Sequence, residues 1–251
     1  ETHGHTITKV VKSPVFENNP NLTYDMGYKN KFYLSLNRYE TNYCKQDLPH
    51  RAIQRYDKHI IEQICEFYQI ENPELKCELF LTEQEHEKAN HMLQDISKEF
   101  IMIEPHSKRN YTPNRAYPFK KWQNVVDKLT QHYEVIQVGF PGNSILENVT
   151  DFTGKTTFRE AAALMSNAKL FLSTEGGLTH TATAVDTTAL VVLTGYQGSK
   201  MVSYPQNINI NIATHGPCGL KIPCESCIMD AERHNQQIIV ERALEFLDNI
   251  K

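Results

Sequence analysis

Short apolar blocks alternate with helical patterns over the second half of the chain. Four apolar runs have the length of buried strands: 100–103, 135–138, 170–172 and 189–193. Apolar side chains at helical spacing predict four helices, over 122–132, 157–167, 178–185 and 236–250. Because strands and helices follow one another so regularly, we predict an α/β fold with a parallel sheet and helices on both faces.

The first part of the chain has a less regular pattern. Helical spacing predicts a helix over 56–69, and Thr82 followed by Glu85 predicts a capping box that opens a helix ending near 97. Short stretches of strand character predict strands over 7–11, 31–36 and 77–81. The change of pattern near residue 98 predicts two domains, a smaller α/β domain over 1–97 and a larger one over 98–251.

Four glycine-rich or polar segments follow predicted strands. They are the loop after Ile103, the turn over 139–142, the sequence Glu175-Gly176-Gly177 and Gly195. Because ligands of parallel sheets bind at the carboxyl ends of the strands, we predict one binding edge. The Glu175 turn places free backbone N–H groups at the start of a helix, which suits an anion such as a diphosphate. An ordinary strand-to-helix turn without a ligand is the alternative.

Composition fits a globular protein and narrows its partners. The chain has 251 residues, of which 40% are hydrophobic and 22% charged, and its net charge is -4. This balance differs from the basic face of nucleic-acid-binding proteins, so we predict no nucleic-acid partner. No apolar run reaches the roughly 20 residues of a membrane helix, and no signal peptide is visible. We therefore predict a cytoplasmic protein with at most peripheral membrane association.

Two pairs of metal-binding residue types lie near the end of the chain. His215 and Cys218 are followed by Cys224 and Cys227, so that H-x2-C and C-x2-C are separated by five residues. Two such pairs have the usual spacing of a tetrahedral site, and we predict a structural Zn or Fe ion bound by these four residues. A loop with buried thiols and no metal is the alternative.

Five motifs in the second half of the chain occur in an order typical of one family. They are Ile103-Glu-Pro-His-Ser107, Lys120-Lys121-Trp122, the strand ending at Gly139, Phe152-Thr-Gly-Lys-Thr-Thr157 and Ser173-Thr-Glu-Gly-Gly-Leu-Thr-His-Thr-Ala182. In these motifs the chain resembles the nucleotide-binding half of the ADP-heptose:lipopolysaccharide heptosyltransferase family (glycosyltransferase family 9), which has the GT-B fold of two Rossmann-type domains. The resemblance implies a Rossmann-like nucleotide-sugar-binding domain over 98–251 and a partial acceptor-side domain over 1–97.

The same resemblance implies an inverting, metal-independent transfer of a heptose-like sugar from a nucleoside-diphosphate donor to a bacterial surface glycan. The acceptor is then a saccharide or a lipid-linked saccharide, and the chemistry needs no cofactor. Lys120 matches the family lysine that contacts the phosphates, and we assign it a catalytic role. The other residues matched to the donor site are His106, Ser107, Glu175, Gly176, Gly177, Thr179 and His180.

Three departures from the family pattern affect the predicted site. Glu175 is one methylene longer than the family's Asp. The segment after Gly139 lacks the acid that many members place near the nucleoside, and Asn143 or Ser144 is the predicted substitute. The family's N-terminal glycine loop with its catalytic Asp is not recognisable, so His3 and His5 are the candidate bases, since imidazole titrates near neutral pH. A non-catalytic nucleotide-sugar or glycan-binding relative and a GT-B-like nucleotide-sugar epimerase are the alternatives.

Overall fold

The architecture is that of a computed structural model, which describes residues 12–25, 27, 29, 44–48, 50–54, 57–108 and 111–250. The predicted strands over 7–11 and 31–36 lie outside these residues, as do His3 and His5. The strands of the described residues are β1 (Cys44–Leu48), β2 (Arg51–Gln54), β3 (Phe100–Glu104), β4 (Glu134–Gln137), β5 (Thr150–Asp151), β6 (Phe171–Thr174), β7 (Ala189–Leu193) and β8 (Ile208–Asn211). The α-helices are α1 (Ile60–Phe67), α2 (Glu83–Met92), α3 (Phe119–Leu129), α4 (Phe158–Met165), α5 (Gly177–Ala184), α6 (Ser199–Val202), α7 (Glu225–Arg233) and α8 (Gln237–Asn249).

Six strands form one parallel sheet in the order β5-β4-β3-β6-β7-β8, and β1 pairs with β2 as an antiparallel hairpin. The four strands predicted for the second half are confirmed as β3, β4, β6 and β7, and with them the parallel α/β sheet. The two edge strands were missed. β5 has only two residues, and β8 alternates half-buried Ile with exposed Asn, so neither forms an apolar run.

The predicted strand over 77–81 is wrong. This stretch has no regular secondary structure, and the Phe80 carbonyl accepts a hydrogen bond from Arg159 Nη2 at 2.6 Å. A side chain of α4 therefore fixes the segment in place of a neighbouring strand. A local apolar pattern does not show whether a segment will bond to a neighbouring strand or to a side chain such as that of Arg159.

The predicted helices are present, with their ends shifted: α3 begins at Phe119, before the predicted residue 122, whereas α2 and α1 are shorter than predicted. Thr82 and Glu85 form the predicted capping box of α2, and Thr157 forms another with Glu160 at the start of α4. α2 ends at Met92, before the predicted residue 97, and Leu93 is its C-cap. α1 is shorter than the predicted 56–69, since His59 caps its start.

Two apolar layers cover the sheet. On one face α3 and α8 pack their buried side chains, among them Trp122, Leu129 and Ile239. On the other face α4 contributes Leu164 and Met165 to a second cluster that also includes residues of α2 and α5. The central strands are apolar at nearly every position because both of their faces are covered.

The direction of winding changes at the centre of the sheet. From β3 the chain adds β4 and β5 on one side, and from β6 it adds β7 and β8 on the other. β3 and β6 are direct neighbours, with Ile103 beside Leu172 and Glu104 beside Ser173. A crevice forms outside the carboxyl ends of two such strands, and ligands of this type of sheet bind there.

The helices found in the described ranges include none with the length and apolar character that crossing a membrane requires. The division into domains over 1–97 and 98–251 stays a prediction.

Arg159 of α4 connects three other segments of the chain, and its loss should lower the stability of the fold. Its buried guanidinium pairs with Glu85 of α2 and donates to the carbonyls of Pro14 and Phe80. Arg159→Met leaves these acceptors without a donor. We expect the free energy of unfolding, measured by urea denaturation at neutral pH, to fall by about 2–3 kcal/mol, less than for a fully buried pair because Glu85 is partly exposed.

Lys88→Met is the matched control, because the Lys88 side chain that pairs with Glu160 is exposed, and its loss should cost less than about 1 kcal/mol. Hydrogen bonding from Arg159 lowers the pKa of Glu85 to about 2. A depressed carboxyl pKa contributes stability that is present above the unfolded-state value and is lost as the pH falls through the folded-state value. The difference between Arg159→Met and the unmodified chain should therefore shrink from about pH 5 to about pH 2; a constant difference would argue against this pair.

Candidate functional site

A cleft of about 500 Å³ opens at the carboxyl ends of β3, β4 and β6. Segments at or after the ends of these strands form most of its wall. The lining residues are Glu104, His106, Ser107 and Lys108; Val138, Gly139, Phe140 and Pro141; Ser173, Thr174, Glu175, Gly176, Gly177 and Leu178; Gly154, Thr156, Thr157, Phe158 and Ala161; and Arg115. Three of the four segments predicted for the binding edge thus meet around one cavity.

The structure brings five of the residues matched to the donor site to this cleft: His106, Ser107, Glu175, Gly176 and Gly177. Lys120 is exposed in the first turn of α3 and does not line the cleft. Asn143 also lies outside the lining, beside Gly139. Two cations of the lining follow β3, Lys108 and Arg115, and the motif pattern singled out neither of them.

Thr179 and His180 lie behind the cleft wall. Thr179 Oγ1 donates to the Gly176 carbonyl at 2.7 Å and accepts from the Gly176 N–H at 3.3 Å, which fixes the turn before α5. His180 Nδ1 lies 2.7 Å from the Tyr204 hydroxyl. Burial is the largest cause that lowers the pKa of His180 to about 4, so this imidazole is neutral at neutral pH.

The start of α5 is open to the cleft. Gly176 is the N-cap, and Gly177, the first helical residue, is exposed. A Cβ at Gly177 would meet nothing within 4 Å, so packing within the protein does not require glycine there, and its absence leaves room for a ligand. The free N–H groups of a first helical turn and the helix dipole favour an anion at this position.

Glu175 precedes this turn and forms a buried ion pair with Arg115. Glu175 is 8% exposed, and Arg115 Nε lies 2.6 Å from its Oε2. The guanidinium lies 4.8 Å from the ring centroid of Tyr111 and 4.9 Å from that of Tyr196, and it donates to Gln197 Oε1 at 2.5 Å. Burial raises the pKa of Glu175, and the charge of Arg115 opposes the rise. Sequence reasoning missed Arg115, because its irregular loop matches no motif.

A second carboxyl, that of Glu104, lines the cleft at the end of β3. Burial raises the pKa of Glu104 to about 7. Its backbone carbonyl accepts from Ser173 Oγ at 3.0 Å, which joins the ends of β3 and β6. A carboxyl with this pKa can donate or accept a proton near neutral pH. Its position inside the motif that ends at Ser107 was the signal that could have identified it.

The wall near His106 is held by internal contacts. His106 Nε2 lies 2.8 Å from the Ser144 carbonyl, and its ring stacks on Phe119 with centroids 5.1 Å apart. Gln137 donates to the same carbonyl at 2.9 Å and accepts from the Leu146 N–H at 2.9 Å. These contacts form the wall without any help from a ligand.

The predicted metal-binding residues cluster away from the cleft. The ligand atoms of His215, Cys224 and Cys227 all lie within 4.8 Å of one another. Cys227 Sγ is 3.4 Å from His215 Nε2 and 3.4 Å from Cys218 Sγ. Ligand atoms around a tetrahedral Zn ion lie roughly 3–4 Å apart, so this donor set fits a bound metal ion.

A second layer of contacts orients the histidine of this cluster. His215 Nδ1 lies 3.0 Å from Asp230 Oδ2, and Thr214 donates to the same carboxylate through its N–H and its hydroxyl, each at 2.8 Å. This leaves Nε2 for a metal ion. Gly195 packs here, since a Cβ on it would come within 3.1 Å of His215 Cε1, and its φ is +92°. Gly195 therefore serves the cysteine cluster and not the cleft.

The raised pKa of Glu104 predicts a pH-dependent stability. A carboxyl whose folded-state pKa is raised keeps its proton longer in the folded state, so the unmodified chain loses stability as the pH rises from about 4.5 to about 7. Glu104→Gln does not titrate. We expect this variant to gain about 1–3 kcal/mol over the unmodified chain by pH 8, and little at pH 4.5, in urea denaturation across this range.

Glu99→Gln is the control for Glu104, since it changes an exposed acid at the other end of the same strand. Its stability relative to the unmodified chain should not change in this pH window. An equal gain for Glu104→Gln at every pH would mean that the buried carboxyl does not titrate as described.

The cysteine cluster predicts a bound metal ion in the purified protein. We expect elemental analysis to find about one Zn or Fe ion per chain. Cys224→Ser should reduce that content strongly, whereas Cys65→Ser, which changes a free thiol on α1, should leave it unchanged. Metal-free wild-type protein, or full metal content in Cys224→Ser, would rule the site out.

Three solved structures resemble this fold. The glycosyl transferase family 9 protein of Veillonella parvula DSM 2008 is 12% identical, with a TM-score of 0.61, and the match covers 78% of this chain and 62% of that one. The E. coli ADP-heptose lps heptosyltransferase II is 16% identical, with a TM-score of 0.59, and the match covers 76% of this chain and 62% of that one. The third is the iron-containing dodecameric heptosyltransferase TibC from enterotoxigenic E. coli, in complex with ADP-D-beta-D-heptose. It is 15% identical, with a TM-score of 0.57, and the match covers 79% of this chain and 55% of that one.

These similarities confirm the predicted GT-B-type fold, and the chain spans less than two thirds of the length of each of these proteins. None of the curated proteins matches the chain significantly. The family model of glycosyltransferase family 9 (heptosyltransferase) matches residues 7–223, most of the sequence. The chain therefore belongs to glycosyltransferase family 9.

Proposed function

We propose that the cleft binds a nucleoside-diphosphate sugar and that the protein transfers this sugar, with inversion at the anomeric carbon, to a glycan acceptor. The observation that carries the proposal is the open N-terminus of α5 at the point where the winding of the sheet reverses, in a chain of this family. TibC, a relative in fold, has been seen in complex with ADP-D-beta-D-heptose. A heptose-like sugar is accordingly the first donor to test.

The transfer reaction requires the diphosphate end of the cleft to stabilise negative charge. When the bond between the anomeric carbon and the diphosphate oxygen breaks, negative charge builds up on the leaving group. The N–H groups of Gly177 and Leu178, together with Lys108, are the donors of the cleft suited to that charge. Donors aimed at developing charge stabilise the transition state more than the bound substrate. This step needs no metal ion.

Several parts of the proposal rest on the family alone. Lys120 would reach the phosphates only by leaving its exposed position, and His3 and His5 stay the proposed bases for the acceptor hydroxyl. The proposed acceptor is a saccharide or lipid-linked saccharide of a bacterial surface glycan. The cytoplasm, where nucleotide sugars are made, is the proposed location.

The cysteine cluster has a structural role in this proposal. A Zn or Fe ion bound by His215, Cys218, Cys224 and Cys227 would link the segment before α7 to the start of that helix. TibC is described as iron-containing, which supports Fe as one of the two candidates.

A binding role without transfer is the second candidate function. It is favoured by the position of the cleft, whose described lining comes from the edge of one sheet. Incubation with ADP- and GDP-sugars, followed by detection of free nucleotide and transferred sugar, separates the two functions. Release of nucleotide supports the transferase, and binding without release supports the binding protein.

Nucleotide binding tests the site directly. We expect ADP or GDP to raise the melting temperature, and Lys108→Ala to weaken that nucleotide's affinity about tenfold, because a charge-assisted contact to phosphate is lost. Lys128→Ala, in the last turn of α3, is the control and should bind normally. Lys120→Ala tests the family-derived phosphate contact, and we expect a smaller loss than for Lys108→Ala. No melting shift with any ADP- or GDP-type ligand would refute the donor site.

A further inference from the structure

We propose that Arg115 is a positioning residue of the donor site, which keeps the Glu175 carboxylate ionised and fixed in the cleft so that it accepts hydrogen bonds from the donor sugar. The proposal rests on the proposed function, since it needs a nucleotide sugar in this cleft. It assigns a role to a residue that no motif marks.

Arg115 and Glu175 form a close ion pair inside the cleft. Both residues line the cleft, and Arg115 Nε lies 2.6 Å from Glu175 Oε2. The side chains of both are mostly buried, at 15% and 9% exposure. A carboxylate this deep stays charged only if a cation or several donors compensate the lost hydration. Arg115 is the cation that contacts it.

The other contacts of Arg115 hold its guanidinium beside Glu175. Its guanidinium is enclosed by the rings of Tyr111 and Tyr196, and another of its nitrogens donates to Gln197. Placed against two aromatic rings and hydrogen-bonded in this way, it has little freedom to turn towards a diphosphate. Its charge therefore acts through Glu175.

The loop that carries Arg115 is anchored by hydrogen bonds of the preceding residue. The neighbouring Asn114 donates through Nδ2 to the carbonyls of Leu220 and Ile222, each at 2.8 Å, and its Oδ1 accepts from the Cys224 N–H at 2.8 Å. Three hydrogen bonds from one buried side chain fix the backbone next to Arg115. The guanidinium is thus held in place before a ligand enters.

The ligand of Glu175 follows from charge. A carboxylate repels a diphosphate, but it accepts hydrogen bonds from hydroxyl groups. Glu175 lies immediately before the turn that opens α5, so a donor whose diphosphate sits at that helix start brings its attached sugar within the same cleft. Sugar hydroxyls are therefore the groups that Glu175 is suited to bind.

Other ionisable groups surround the pair and determine how its pH dependence is read. They are Glu104 and Lys108 in the same cleft, His180 of α5, and the tyrosines Tyr111, Tyr196 and Tyr204. The pKa of His180 is lowered to about 4, and burial raises that of Tyr204 far above neutral. Glu104, with a pKa of about 7, titrates in the range of interest. The charge of Glu104 acts on the diphosphate, which is present in both a nucleotide and its sugar derivative. Its effect therefore cancels when the affinities of these two ligands are compared.

The test therefore compares matched ligand pairs: ADP with ADP-D-β-D-heptose, and GDP with GDP-mannose. The quantity measured by calorimetry is the ratio of the two dissociation constants, which isolates the contribution of the sugar. We expect Arg115→Met to reduce this contribution about tenfold at pH 7 and to leave the affinity for the nucleotide alone within about threefold. The reduction should become smaller as the pH is raised, because a buried Glu175 carboxyl without its cation regains its charge only at higher pH.

Three further variants separate positioning from a merely structural role. Glu175→Gln should reduce the sugar contribution without any pH dependence. Arg115→Lys should retain most of it. The double variant Arg115→Met/Glu175→Gln removes both charges and leaves no buried carboxylate unpaired. It can therefore be measured even if Arg115→Met alone does not fold. Its loss should equal that of Glu175→Gln alone, because Arg115 acts only through Glu175.

The outcomes distinguish this proposal from the proposed function. If the unmodified chain binds neither ligand pair, the proposed function fails. If it binds them, but Arg115→Met weakens nucleotide and nucleotide sugar equally, or the two losses add in the double variant, the role assigned to Arg115 is wrong.

Discussion

The reversal of winding between β3 and β6 is the constraint on which the rest of the site depends. Because the two strands are neighbours and their connections leave towards opposite edges of the sheet, the segments that follow them separate and a crevice opens. Residues 104–108 form one wall of this crevice and residues 173–178 the other. The buried apolar strands fix the position of both walls, so the cleft needs no ligand to exist.

One short segment connects the cleft with the cysteine cluster. Thr112 and Asn114 donate to the Leu220 carbonyl at 2.7 and 2.8 Å, between the two pairs of metal-binding residue types. The next residue, Arg115, points into the cleft. From the other side, the Cys218 N–H donates to the Gly195 carbonyl at 3.0 Å, next to the tyrosine that stacks on Arg115. A few hydrogen bonds therefore join the segment of the cysteine cluster to the loop that carries Arg115.

The parts of the structure that follow local rules were predictable from the sequence. Buried strands such as 170–172 appear as apolar runs, and the capping boxes at Thr82 and Thr157 are complete within four residues. The parts that depend on distant partners were not. The stretch 77–81 has the composition of a strand but bonds to Arg159, and Arg115 becomes part of the site only through Glu175 and two tyrosines that are remote in sequence.

The two acids of the cleft explain how an anion can bind beside them. Two free carboxylates facing a diphosphate would oppose its binding. Burial without a cation raises the pKa of Glu104 to about 7, so a nearby anion favours its neutral form further. The carboxyl of Glu175 lies 2.6 Å from Arg115 Nε, and the charge of Arg115 opposes the rise in pKa that burial causes. One acid is thus neutralised by a proton and the other by an ion pair, which leaves Lys108 and the start of α5 to set the potential at the diphosphate position.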